Sequence, residues 1–307
     1  MPKLKDSIEY TMFKILKIPL FLLPRKICLA VGTVFGRLFY HADKKHRQTT
    51  FSNLNTAFGN QISEFEIKRI AKSCFEHFGR TFVDILKIGS MRQEEINRFV
   101  VVEGEEHLKK SLHLGRGALL FSAHFGNWEI APAFLSQKGK LNVIARLLDN
   151  EPLEKELSKI RKGFGATVIY KHQAARSILQ ALRANEMVAL LIDQNVIRSQ
   201  AVFVDFFGKP AATTPSLAAF FLKTQAPLIP VFCFPTSHQK YYLQIQEPLK
   251  IALSGEEKTD VLKITQLCTK IIQNQIQENP KIWLWFHDRW KTRPEEEERS
   301  GKKEYER

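Results

Sequence analysis

From about Val100 onward, short apolar runs alternate with stretches of helical periodicity, and this alternation limits the fold more than any other feature of the chain. The apolar runs at 117–123, 142–146, 166–170, 187–193, 228–234 and 241–246 have the length and composition of buried strands. Helical patterns at 128–137, 152–163, 173–184, 213–224 and 258–277 lie between or after them. The order predicts an α/β fold, a mainly parallel central sheet flanked by helices. Ahead of it, between Asp43 and Glu95, Leu54, Phe58, Ile67, Ile70, Cys74, Phe78, Phe82 and Ile85 recur largely at three- and four-residue steps. That spacing predicts helices, and Ser63 followed by Glu66 has the form of a capping box.

The first forty residues differ from the rest. Met12 to Tyr40 is apolar but interrupted by Lys14, Lys17, Pro19, Pro24, Arg25, Lys26 and Arg37. Its uncharged runs, Ile18 to Pro24 and Ile27 to Gly36, fall short of the ~20 apolar residues that span a bilayer. No small-residue cleavage site follows, which argues against a removed signal peptide. Basic flanks on apolar runs predict an N-terminal helical membrane-associated region lying in the interface, at residues 1–42. The competing expectation is a helix packed on the core. Residues 43–293 then form the α/β domain, and the charged tail 294–307 reads as a solvated, disordered end.

The net charge of +14 suits an acidic partner or an anionic membrane surface, and no nucleic-acid recognition motif accompanies it. The four cysteines are scattered singly, without zinc spacing. Neither a metal nor a cofactor is expected. Serine-elbow, P-loop and dinucleotide-binding patterns are all missing from the sequence.

The sharpest motif is His124-Phe125-Gly126-Asn127-Trp128-Glu129, directly after the strand candidate at 117–123. Ligands bind at such strand ends in open α/β sheets. A histidine with a carboxylate partner can take a proton from a hydroxyl, and Glu129 is the expected partner of His124. Gly126 permits a tight turn between them. Asn127 is expected to cap the following helix, whose amides can face developing negative charge. The bland alternative is a capped helix beside a structural histidine. Without a recognisable enzyme nucleophile, the pair would act on a substrate hydroxyl.

The string HFGNWE resembles the lipid A biosynthesis acyltransferases, and His124-x4-Glu129 is similar to the HX4D/E motif of glycerolipid acyltransferases. Further stretches agree: Asn53-Leu54-Asn55-Thr56-Ala57-Phe58, Leu190 to Asn195, Phe206 to Thr213, Ala226 to Val231 and Trp283 to Lys291. The resemblance implies transfer of a fatty acyl chain from acyl carrier protein to a hydroxyl of a lipid A precursor of the Kdo-lipid IVA type, a phosphorylated glycolipid, at the cytoplasmic face of the cell inner membrane. It implies His124 as base and Glu129 as its partner. Arg161 resembles a family arginine that would bind phosphate or an oxyanion; a surface ion pair is the alternative. Arg146, in an R-x3-N stretch ending at Asn150, is expected near the site. Asp193 would bind a sugar hydroxyl or pair with an arginine, unless it only caps a helix. His287 and Arg289 read first as packing within a tryptophan-rich segment and second as contributors to the site. His77, His107, His113, His172 and His238 lack a partner pattern. Acylation of another glycolipid, such as a phosphatidylinositol mannoside, and a non-catalytic membrane-binding protein remain open.

Overall fold

Four helices open the chain: α1 (Leu4–Leu22), α2 (Arg25–Ala42), α3 (Lys44–Phe58) and α4 (Glu64–Ile88). The structure, a computed structural model, describes residues 4–59, 61–170 and 174–295. Ser63 caps α4 by accepting from the Glu66 amide at 3.2 Å, as its spacing predicts. The Glu66 side chain turns to Arg69 instead of closing the box.

Helices α2 and α4 cross with their backbones in contact. Gly32 and Gly36, one turn apart on α2, meet Gly79 on α4. A Cβ at Gly36 would stand 2.2 Å from the Phe75 carbonyl oxygen, and one at Gly79 2.2 Å from that of Gly32. Small residues at this spacing allow such an approach. The outer faces of α1 and α2 leave Ile15, Ile18, Phe21, Leu22, Ile27, Val31, Val34, Phe35 and Leu38 exposed. No described helix is long and apolar enough to cross a membrane.

The α/β part continues with α5 (Gln93–Asn97), β1 (Val100–Glu103), α6 (Glu105–Leu112), β2 (Ala118–Ser122), α7 (Ile130–Leu135), β3 (Leu141–Ala145), α8 (Glu151–Gly163), β4 (Thr167–Tyr170), α9 (Ala174–Arg183) and β5 (Met187–Leu191). It closes with β6 (Val202–Phe206), β7 (Lys209–Thr213), α10 (Ser216–Thr224), β8 (Leu228–Pro235), β9 (Tyr241–Ile245) and α11 (Glu257–Glu278). Among the described residues seven strands form one sheet, in the order β1-β9-β8-β2-β5-β3-β4. Its pairs are parallel except β8 with β9, so the expected mainly parallel sheet is present.

Both faces of the sheet are covered. Along β2, Leu119 and Phe121 join the core under α4, α9, α10 and α11, while Ala118 and Leu120 join the opposite core under α5, α6 and α7. Burial on both sides explains why β2 reads as an unbroken apolar run.

Three elements depart from the sequence reading. β1 is too short, and too quickly followed by acid residues, to stand out. The Phe206 to Thr213 stretch is part of an antiparallel hairpin, β6 with β7, turning at Phe207 and Gly208, both at positive φ. Pro210 disguised its second strand. α7 begins at Ile130, not at 128, because tertiary contacts hold Gly126 to Glu129 as a turn. The tail from 296 onward and His172 lie outside the described residues.

Candidate active site

Three loops at the carboxyl ends of β2, β5 and β3 meet. β2 and β5 are paired with Ser122 opposite Leu191, and the chain beyond each brings His124 and Asp193 side by side. The His124 Nδ1 lies 2.9 Å from Asp193 Oδ1, and the His124 amide donates to Asp193 Oδ2 at 2.9 Å. The indole N–H of Trp283 donates to Oδ2 at 2.8 Å. Burial alone would raise the Asp193 carboxyl, but the His124 ring and these donors outweigh it and push it down to about 2. An ionised Asp193 only accepts, so His124 Nδ1 carries the proton and Nε2 holds the lone pair. The Gln194 amide Nε2 stands 3.4 Å from that nitrogen.

The turn after His124 is pinned from several sides. Gly126 has φ +59°, and a Cβ there would fall 1.8 Å from the Cys233 carbonyl oxygen, so the position needs glycine. The Gly126 amide donates to Ile282 O at 2.8 Å, and the Asn127 amide to Cys233 O at 3.1 Å. The Gly126 carbonyl accepts from buried His77 Nε2 at 3.0 Å. Leu284 N donates to His124 O at 3.1 Å, so the C-terminal tryptophan segment braces the turn.

Glu129 does not take the imidazole proton. Its carboxylate receives Arg161 of α8 in a bidentate pair, Nε to Oε2 at 2.9 Å and a second contact from the terminal nitrogen to Oε1. Trp128 Nε1 adds a donor at 3.2 Å. Both partners are largely buried. The expected pairing of Glu129 with His124 is therefore corrected: Asp193 is reached across the sheet, a contact that the five-residue spacing within one loop cannot reveal. Arg161 accordingly has a buried carboxylate partner, not a surface one.

Asn127 also departs from expectation. Its side chain is fully buried and does not cap α7, whose N-cap position is held by Glu129 without a side-chain hydrogen bond. Its Nδ2 donates to the Tyr241 hydroxyl at 3.0 Å, and that hydroxyl donates to Asp84 at 2.6 Å. Asp84 in turn holds Arg25 at the start of α2 through two contacts of 2.7 Å. Arg146 stands at the rim, mostly exposed, 3.5 Å from Asp149. Asn150 caps α8 through Leu153 N and reaches Asp6 and Glu9 of α1.

His124, Glu129, Arg146 and Arg161 open on one cavity of about 510 Å³. A second, smaller chamber of about 70 Å³ shares Trp128, Glu129, Ile144, Ala145, Arg161 and Leu191 with it and runs between the sheet and α7. Its other walls are almost wholly apolar, among them Leu120, Leu135, Val143, Val231 and Cys233. The narrow chamber suits a hydrocarbon chain and the wide one a bulkier polar group.

The cavity also holds Glu154, Gln194, Asn195 and Thr214, which the sequence does not single out as site residues, and His287, for which packing is the first expectation and the site the second. Glu154 is buried and accepts from Leu148 N and the Tyr170 hydroxyl. It lies seven residues before Arg161, on the same face of α8, which was a readable signal. Gln194 and Asn195 follow Asp193 directly. Chemically, the site offers an imidazole lone pair, a buried arginine and an apolar chamber around one cavity. That combination can deprotonate a hydroxyl beside a carbonyl attached to a chain.

Several named proteins are similar to this chain in sequence. The phosphatidylinositol mannoside acyltransferase of Mycobacterium tuberculosis (strain CDC 1551 / Oshkosh) is 28% identical over 222 residues, 70% of this chain and 68% of its own. The lipid A biosynthesis palmitoleoyltransferase of Escherichia coli (strain K12) is 24% identical over 89% of this chain and 87% of its own. The lipid A biosynthesis lauroyltransferase of the same organism is 26% identical over 89% and 88%. With residues 4–292 matching the family model for bacterial lipid A biosynthesis acyltransferases, the chain belongs to that family and is an enzyme that transfers acyl groups.

Proposed function

We propose that the enzyme moves a fatty acyl chain from acyl carrier protein to a hydroxyl of a lipid A precursor of the Kdo-bearing lipid IVA type, at the cytoplasmic face of the inner membrane. The observation that carries this reading is the His124 Nε2 lone pair opening on a cavity that shares its arginine-lined wall with an apolar chamber. His124 takes the proton of the acceptor hydroxyl. The freed oxygen attacks the thioester carbonyl, the carbon–sulfur bond breaks, and the thiolate leaves with the proton from His124. Asp193 keeps the ring oriented and stabilises its charged form. Glu129 holds Arg161 in place, where its charge faces the acceptor phosphate or the oxyanion, and Arg146 meets anionic groups at the rim.

The basic excess suits both an acidic carrier protein and a phosphorylated acceptor. The exposed apolar faces of α1 and α2 support docking of residues 1–42 on the bilayer, with 43–293 as the catalytic domain. Phosphatidylinositol mannoside is the second acceptor to weigh, because the mycobacterial relative is named for it and is 28% identical. The lipid A relatives align over more of both chains.

The test is mass spectrometry of lipid products after incubation of the full chain with acyl carrier protein thioesters of several chain lengths. Kdo-bearing lipid IVA and phosphatidylinositol mannoside are offered as separate acceptors. Added acyl mass on lipid IVA is the expected result. Acylation of the mannoside alone would transfer the assignment to that acceptor, and no product from either would overturn the reading.

A further inference from the structure

The cavity contains a second histidine with the opposite hydrogen-bonding sense. His287, from the C-terminal segment, lines the same wall as His124 and Gln194. Its Nε2 lies 3.0 Å from the backbone N–H of Asn195. A backbone N–H can only donate, so Nε2 must be the acceptor and the ring proton of neutral His287 sits on Nδ1. Among the described residues no partner meets Nδ1, and that atom is not among the buried polar atoms left unpaired. It is therefore not sealed from solvent, and its ring lines the cavity.

His124 is arranged the other way round. Asp193 takes its Nδ1–H, which leaves Nε2 as a lone pair. The tripeptide Asp193-Gln194-Asn195 after β5 thus orders both rings, the carboxylate fixing one and the backbone amide of Asn195 the other. Asn195 is itself clamped by Thr292, through Nδ2 to the hydroxyl at 3.0 Å and Oδ1 from the amide at 3.1 Å. Burial holds the His287 imidazole below its ordinary range, outweighing the nearby charge of Asp193, which acts against it. The ring stays neutral near pH 7. A cavity with one imidazole lone pair and one imidazole N–H has a proton acceptor and a fixed donor.

We infer that His287 is a further catalytic residue: its neutral Nδ1–H donates to the thioester carbonyl oxygen as negative charge develops there. The assignment rests on the acyl-transfer reading above. As the acceptor oxygen bonds to the carbonyl carbon, the π pair of the C=O bond moves onto oxygen. His287 hydrogen-bonds that oxyanion without giving up its proton. When the pair returns, the carbon–sulfur bond breaks and the thiolate takes the proton held on His124 Nε2. Donors aimed at a developing oxyanion in a water-poor site act on kcat and not on ground-state binding.

Two measurements on the full chain test this. The first is the ¹⁵N chemical shifts of the histidine rings between pH 5 and 8, assigned with His287→Gln. A neutral ring protonated at Nδ1 is expected, and a ring protonated at Nε2 or charged at pH 7 overturns the inference. The second is steady-state kinetics. Replacing His287 with Ala should lower kcat roughly 10²-fold, the cost of one lost oxyanion donor, with KM for the acyl carrier protein thioester unchanged. His287→Gln keeps both an acceptor for Asn195 and an amide donor, and should recover most of that loss. Wild-type kcat in His287→Ala, or a raised KM with kcat intact, overturns the role of His287 alone. No acyl transfer by the wild type overturns this role and the acyl-transfer reading together.

Discussion

His124 and Asp193 each lie two residues beyond a pair of residues in register, Ser122 on β2 and Leu191 on β5, and this shared offset places their side chains 2.9 Å apart. The contact follows from the parallel pairing of two strands far apart in sequence. It also explains why the acid that meets the imidazole comes from the neighbouring strand. Parallel neighbours send their carboxyl ends to the same edge, so each contributes one partner.

Replacing Asp193 with Asn tests that partnership. The amide retains the size of the carboxylate but favours the wrong imidazole tautomer, since its NH2 can donate to Nδ1. kcat should fall by up to about 10⁴-fold, the scale seen when a buried aspartate partner of a catalytic histidine becomes an amide. Because the Asp193 carboxyl is depressed to about 2 in the fold, it stabilises the protein above the pKa of the unfolded chain, and that stabilisation is lost as pH falls through about 2. The variant should therefore show a flatter loss of stability in acid, read by denaturant titration between pH 5 and 2.

The Glu129–Arg161 pair gives a second test, one that separates folding from activity. Glu129→Gln leaves a buried guanidinium without its carboxylate, a change that costs roughly 3–5 kcal/mol for a buried pair. The double variant Glu129→Gln with Arg161→Met removes both charges, and should recover much of the lost stability. Acyl transfer should stay abolished in both, because the double variant regains the fold without the cation. Activity in the double variant would count against a catalytic part for Arg161.

The sheet, and the place of the His124 turn at its edge, were legible in the sequence because buried parallel strands leave apolar runs of distinctive length. The partnership of His124 was not. Spacing along one loop says nothing about what the adjacent strand delivers, and Asp193 becomes a neighbour only through the β2–β5 register. Asn127 misled for a related reason: a helix-capping residue type just before a helix also fits a buried donor to Tyr241. The hairpin of β6 and β7 was hidden by Pro210, while Glu154 shared a helical face with Arg161 and could have been found by counting.

His77 is a buried imidazole whose ring lies against the catalytic turn, at Gly126 O, and burial lowers it from an ordinary value of 6.5 to about 4. Between those values the unfolded chain binds a proton that the native state does not. Stability therefore falls as pH drops from about 6.5 to about 4, by on the order of 3 kcal/mol from this group. His77→Gln, which retains a donor for Gly126 O, should lack that slope. Chemical denaturation at pH 7, 5.5 and 4 would read it, and an unchanged slope in the variant would show that other groups produce the acid sensitivity.

The exposed row on α2, Ile27, Val31, Val34, Phe35 and Leu38, makes the last prediction. It lies on the helix whose inner face is locked to α4 through Gly32, Gly36 and Gly79, so the row cannot turn inward to hide from water. Val31→Glu together with Leu38→Glu introduces charge on the exposed face and should leave the thermal transition nearly unmoved. Binding to vesicles should weaken at least about tenfold, since each large apolar side chain contributes roughly 1.5–3 kcal/mol when buried. Gly36→Ala acts on the opposite face. Its Cβ meets the Phe75 carbonyl, and it should lower stability by about 1–3 kcal/mol or more. Vesicle co-sedimentation and thermal denaturation of both variants separate the two faces. If the double glutamate variant sediments with vesicles as the wild type does, the membrane contact lies elsewhere on the protein.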